Sequence, residues 1–157
     1  MENRGISVGV ILRYTGNHLT HFHVSSLADV PLVGDKAVPF GKHDTDMLPA
    51  EVVGREVYYV EEDGGVSRVY SVCITVVFPF EKWLYLWQDI VEMYQGCSDV
   101  RKAYRKSDRF LLKNADTSSV EFLFHHHDAY DIGRFGVSLL HHYIVERRKE
   151  EHGEIIE

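Results

Sequence analysis

The histidines are the side chains in this sequence with the clearest capacity for chemistry. Residues 121–130, EFLFHHHDAY, place three adjacent imidazoles after an aromatic run, and residues 18–24, HLTHFHV, hold three more. Imidazole nitrogen is a common ligand of Zn²⁺, and histidine also acts as a general acid or base near neutral pH. The spacing therefore raises three interpretations: a metal site, an acid/base site, or histidines that belong to a sheet surface.

If both segments are strands, alternate histidines share a face because successive side chains point to opposite sides. His125 and His127 then lie together while His126 faces the core, and His21 and His23 pair in the same way. If the two strands are neighbours in one sheet, four imidazoles share a surface. That surface would suit Zn²⁺ or another divalent transition metal.

The enzyme hypothesis that follows is a small metal- or His-dependent hydrolase acting on a phosphorylated or nucleotide substrate. Its candidate catalytic residues are His23, His43 and Glu121, and Asp44 and Asp46 in the same loop as His43 could help to hold Mg²⁺. No HExxH helix, nucleophile elbow or glycine-rich phosphate loop occurs in the sequence. Ten scattered histidines also produce pairs by chance, so exposed or structurally bonded histidines are the favoured interpretation.

A cluster of basic residues is the second feature that could carry function. Residues 101–113, RKAYRKSDRFLLK, hold six Lys or Arg in 13 positions, although the whole chain has a formal charge of −7. The pattern predicts a short helix over 98–107, capped by Ser98. Its outward side would carry Arg101, Lys102, Arg105, Lys106 and Arg109. Such a surface would bind an acidic partner or a phosphate-bearing ligand, because arginine forks match both groups.

The totals favour one folded domain over residues 1–157, with a long loop at 27–54 and a frayed tail at 150–157. A hydrophobic fraction of 45% and an aromatic fraction of 12% are typical of a globular chain. The negative charge argues against a general binder of nucleic acid or anionic membranes. Cys73 and Cys97 are too few for a disulfide framework. Neither a signal peptide nor an apolar run long enough to span a bilayer is evident, so a soluble, cytoplasmic protein is expected.

Hydrophobic periodicity predicts three hairpins and three helices. The hairpins are 6–14 with 18–26, 55–61 with 66–78, and 109–113 with 118–126, and the helices are 79–96, 98–107 and about 132–150. The expected fold is α+β: an antiparallel sheet of about six strands with two longer helices and one short helix packed on it. The two edge strands of such a sheet must be covered or charged, and homodimer formation is one way to cover them.

Two functions from different classes remain open at this point, and so does the question whether the chain is an enzyme. The favoured one is a small non-catalytic interaction or regulatory domain, of the inhibitor, immunity, anti-defence or adaptor type. It would bind an acidic protein or a phosphorylated ligand through the basic helix and would need no cofactor. The alternative is the hydrolase described above, which would need Zn²⁺ or another divalent metal.

Overall fold

The computed structural model describes residues 5–37 and 48–151, and these form an α+β structure, as predicted. The strands are β1 (Ile6–Leu12), β2 (His18–Val24), β3 (Lys36–Ala37), β4 (Ala50–Glu62) and β5 (Val66–Val77), and the helices are α1 (Glu81–Tyr94), α2 (Val100–Asn114), α3 (Thr117–His125) and α4 (Arg134–Glu151). The chain divides into two compact units, residues 1–78 with the strands and residues 79–157 with the helices. His43, Asp44 and Asp46 lie outside the described residues.

The strands form one mixed sheet in the order β2-β1-β5-β4-β3. Four of them have seven residues or more and β3 has two, so the predicted antiparallel sheet of six strands is wrong. β1 and β5 are parallel, with Val8 opposite Val72 and Val10 opposite Ile74. This register places the buried side chains of both strands on one face of the sheet. Turn residues predict only the antiparallel pairing of strands adjacent in sequence, so they gave no indication of a parallel pair.

The first two predicted hairpins are confirmed. β2 pairs with β1 and β5 pairs with β4, both antiparallel. The turns contain Gly16, Gly64 and Gly65, whose φ angles of 83°, 87° and 76° favour glycine. β4 begins at Ala50 rather than Arg55, and β3 lies within the predicted 27–54 loop.

The third predicted hairpin is wrong, because its first strand belongs to α2. The buried residues Ala103, Ser107 and Leu111 follow one another at intervals of four, which is a helical spacing. The helix therefore continues to Asn114. Its N-cap is Asp99 rather than Ser98, since the Asp99 carboxylate accepts a hydrogen bond from the backbone N–H of Lys102 at 3.1 Å.

The second strand of that hairpin is α3. Its buried positions, Ser119, Val120, Phe122 and Leu123, lie on one helical face. Asp116 caps the helix by accepting hydrogen bonds from the backbone N–H of Ser119 at 3.2 Å and from its hydroxyl at 2.7 Å. A short apolar run such as FLF fits a strand or a helix equally well, and here the cap and the packing decide for the helix.

The core of the helical unit contains the predicted apolar stripes of α1 and α4. Trp87 of α1 is fully buried and its indole N–H donates to the hydroxyl of Ser107 in α2 at 2.9 Å. The hydroxyl of Tyr130 donates to the buried carboxylate of Glu81 at 3.1 Å. In α4 the buried residues are Gly136, Leu139, Leu140, Tyr143 and Ile144. Among the described residues, no helix combines the length and the apolar composition that crossing a membrane requires.

Candidate functional site

Helix α2 arranges the basic residues of 101–113 along a single face. At about 100° per residue, six Lys and Arg side chains fall within an arc of about 140°, on the side opposite Ala103, Ser107 and Leu111. All six are exposed. They form what we call the basic face: Arg101, Lys102, Arg105, Lys106, Arg109 and Lys113. The five predicted residues thus lie together, and Lys113 joins them because α2 is longer than expected.

Within residues 5–37 and 48–151, no side chain of the basic face has an ion pair or a hydrogen bond. The contrast with α4 is direct, since three consecutive basic residues near its end each have a carboxylate within 4 Å. The pairs are Arg147 with Glu150 at 3.0 Å, Arg148 with Glu121 at 3.6 Å, and Lys149 with Glu146 at 3.5 Å. The six positive charges of α2 therefore have no compensating side chain among the described residues, whereas the three near the end of α4 are paired.

The one acidic residue of α2 does not neutralise the basic face, because it is directed toward α4. An Asp108 carboxylate oxygen lies 2.9 Å from His142 Nδ1, and this contact is an ion pair when the imidazole is protonated. Burial raises the pKa of Asp108, against the opposing effect of His142 and with a further increase from Glu146.

Tyr104 completes this contact between α2 and α4. Its ring stacks on the imidazole of His142 with the centroids 4.3 Å apart and the planes 11° apart, and its hydroxyl lies 3.1 Å from that of Ser138. Tyr104 and Asp108 are one turn apart on α2, as Ser138 and His142 are on α4. These four polar residues hold α2 against α4 on one side, so that the basic face is turned away from α4.

The charge distribution along α2 is unfavourable for the helix itself at its N-terminal end. Arg101 and Lys102 lie in the first turn, which contains no acidic residue, and the N-cap Asp99 places one carboxylate just before them. The positive end of the helix dipole repels cations there, typically by about 0.3 to 1 kcal/mol per exposed charge at low ionic strength. Two adjacent cations against one capping carboxylate leave this end of α2 with a net positive charge, so an anionic partner there would be attracted by both the side chains and the dipole.

The histidines of residues 125–127 do not form the predicted strand face. His125 is the last residue of α3 and His127 lies in the turn that follows. His127 Nδ1 is 2.9 Å from the carbonyl oxygen of Phe124, and its Nε2 is 3.3 Å from the carboxylate of Asp128. The shared surface of four imidazoles depended on a strand at 118–126, and these residues instead form α3 and the start of the turn after it. Glu121, a candidate base, lies 3.6 Å from Arg148.

His21 and His23 do lie on one face of β2, where both are exposed. His18 joins them, although the sequence pattern did not indicate it. A register shift between Val10 and Ile11 makes His18 the partner of Ile11, and this bulge returns its side chain to the face of His21. Local sequence carries no signal for such a bulge.

Two open cavities in the helical unit offer little chemistry. The first, of about 440 Å³, is lined in part by Asn114 and Asp116, but Asp116 caps α3 and the Asn114 amide donates to a backbone carbonyl. The second, of about 370 Å³, is lined in part by His127, Asp128 and Arg134. Neither is lined by a residue of the basic face, which is an open helix surface rather than a pocket.

Comparisons with protein-family models, with curated proteins and with solved structures found no significant match to the chain.

Proposed function

We propose that the protein is an interaction module that binds an anionic segment or surface of a protein partner through the basic face of α2. The observation that carries this proposal is the set of six exposed Lys and Arg residues with no partner among the described residues. α2 contains six basic residues and one acidic residue, a formal charge of +5, in a chain whose total is −7. A positive region of this kind steers association with anionic partners.

The shape of the basic face favours an extended partner over a small ligand. At 1.5 Å per residue, the distance along α2 from Arg101 to Lys113 is about 18 Å. Charges spread over that length match a run of carboxylates or phosphates on a polypeptide. A small phosphorylated molecule would instead require several hydrogen-bond donors that converge in a pocket. On an open helix face the side chains diverge from one another.

A matched pair of triple variants tests the proposal. Arg101→Gln/Arg105→Gln/Arg109→Gln removes three charges from the basic face while keeping good helix formers. The control removes three exposed charges elsewhere and changes the net charge equally: Arg13→Gln/Arg134→Gln/Arg148→Gln. Binding of a fluorescently labelled polyglutamate peptide is measured by anisotropy at several salt concentrations. A second labelled peptide with phosphoserines in place of some glutamates distinguishes phosphate from carboxylate recognition.

We expect the α2 variant to weaken binding by at least about threefold, from about 0.2 to 1 kcal/mol for each exposed charge pair, and to reduce the salt dependence. The control should bind like the unmodified protein. Equal losses in both variants would show that only the net charge matters and would contradict the proposal. Absence of binding to both peptides at low salt would contradict it as well.

A further inference from the structure

Gly9 leaves a gap between an imidazole and a thiol on the exposed face of the sheet. Gly9, in β1, is the register partner of His21 in β2 and of Cys73 in β5. Register partners project to the same face of a sheet. Since Gly9 has no side chain, the space above it is bordered by His21 on one side and by Cys73 on the other.

The bulge in β2 adds a second imidazole to this space. His18 Nε2 and Cδ2 both lie 3.9 Å from the position that a Cβ atom on Gly9 would occupy, and no other described side chain reaches within 4 Å of it. The ring centroids of His18 and His21 are 6.0 Å apart. Two imidazoles from β2 and one thiol from β5 therefore lie around Gly9, with the His18 ring already at van der Waals distance from the missing Cβ position.

We infer that the space above Gly9 is a binding site for Zn²⁺ or a similar borderline-soft divalent cation, with His18, His21 and Cys73 as its ligands. Nitrogen and sulfur are the ligands that Zn²⁺ prefers, and three protein ligands leave a fourth coordination position for water. Glu56, the register partner of Cys73, adds a negative charge beside the site. This inference is independent of the proposed function, since it concerns the strand unit rather than α2.

Binding requires side-chain rotation. Among the described residues, no three His, Cys, Asp or Glu side chains already converge on a point that would hold a metal ion. The His18 ring already lies over Gly9. His18 and His21 are exposed and neither has a hydrogen bond to another described residue, so their rings can rotate to direct a nitrogen at the metal without breaking one. His23, one register step away and opposite Ser7, is not needed as a ligand.

The test uses the untagged full chain and Co²⁺ as a spectroscopic substitute for Zn²⁺. Co²⁺ at the site should give a thiolate-to-metal charge-transfer band that Zn²⁺ removes by competition. Cys73→Ser should abolish the band, and His18→Ala or His21→Ala should weaken Zn²⁺ binding by at least about tenfold. His23→Ala and His125→Ala/His127→Ala serve as controls and should leave the band and the affinity unchanged.

Gly9→Ala provides a variant that fills the site without removing a ligand. Its methyl group would meet the His18 ring at 3.9 Å, an ordinary contact, so the fold should be retained and Zn²⁺ binding weakened. Circular dichroism and thermal unfolding verify the fold of every variant. Absence of the band in the unmodified protein, its persistence in Cys73→Ser, or unchanged affinity in Gly9→Ala would each overturn the inference.

Discussion

Replacement of Ser107 by alanine is expected to lower the free energy of unfolding of the helical unit, because it removes the acceptor of a buried hydrogen bond. Ser107 and Trp87 are both fully buried, and the Trp87 indole N–H donates to the Ser107 hydroxyl at 2.9 Å. Without its acceptor the indole N–H stays buried and unsatisfied, which costs about 1 to 3 kcal/mol. The better helix propensity of alanine returns less than about 0.7 kcal/mol. At roughly 2 to 4 °C per kcal/mol for a chain of this size, Tm should fall by several degrees.

The assay is urea unfolding followed by far-ultraviolet circular dichroism, with a double-mutant cycle over Ser107→Ala and Trp87→Phe. Once Trp87→Phe has removed the donor, Ser107→Ala should cost less than it does in the unmodified protein, giving a coupling of about 1 kcal/mol. Ser138→Ala is the matched control, because the Ser138 hydroxyl also contacts a polar group of an aromatic side chain, the Tyr104 hydroxyl, but is exposed, so that water can replace it. A loss from Ser107→Ala no larger than that from Ser138→Ala, or a coupling near zero, would refute the reasoning.

Two further substitutions test the packing and the electrostatics of the helical unit. Gly136→Ala would place its Cβ 2.6 Å from Cγ2 of the buried Ile132. The cost of overpacking, about 1 to 3 kcal/mol, should exceed the roughly 1 kcal/mol gained in helix propensity, so Tm should fall. A raised Tm would contradict this. Asp108→Asn tests the raised pKa of Asp108. Because the folded state favours the protonated carboxyl, protonation of Asp108 stabilises the folded protein at low pH, and this stabilisation is lost as the pH rises through the folded-state pKa. The Asn variant should therefore unfold at a higher urea concentration than the unmodified protein at pH 8, and the difference should shrink toward pH 3; a less stable variant at pH 8 would show that the contact with His142 outweighs the cost of burial.

Much of the local structure could be predicted from the sequence, because it depends on short-range patterns. Alternating apolar residues with glycine turns predicted the two hairpins β1-β2 and β4-β5. The apolar stripes of α1 and α4 repeat with the helical period and identified both helices. The predicted basic face depended only on a helix that begins near residue 98, and the lengthening of α2 to Asn114 added Lys113 to the five predicted residues.

Only the tertiary structure decided the pairing of β1 with β5, because parallel pairing joins segments separated by some 60 residues and leaves no signal in either of them. The same is true of residues 109–125: their short apolar runs fit a strand as well as a helix, and burial of Leu111 and Phe122 in the helical unit determines the outcome. The three-histidine face of β2 depends on a bulge that pairing with β1 imposes. The sequence alone thus identified the side chains that could carry chemistry. Long-range packing decided which of those side chains lie close together.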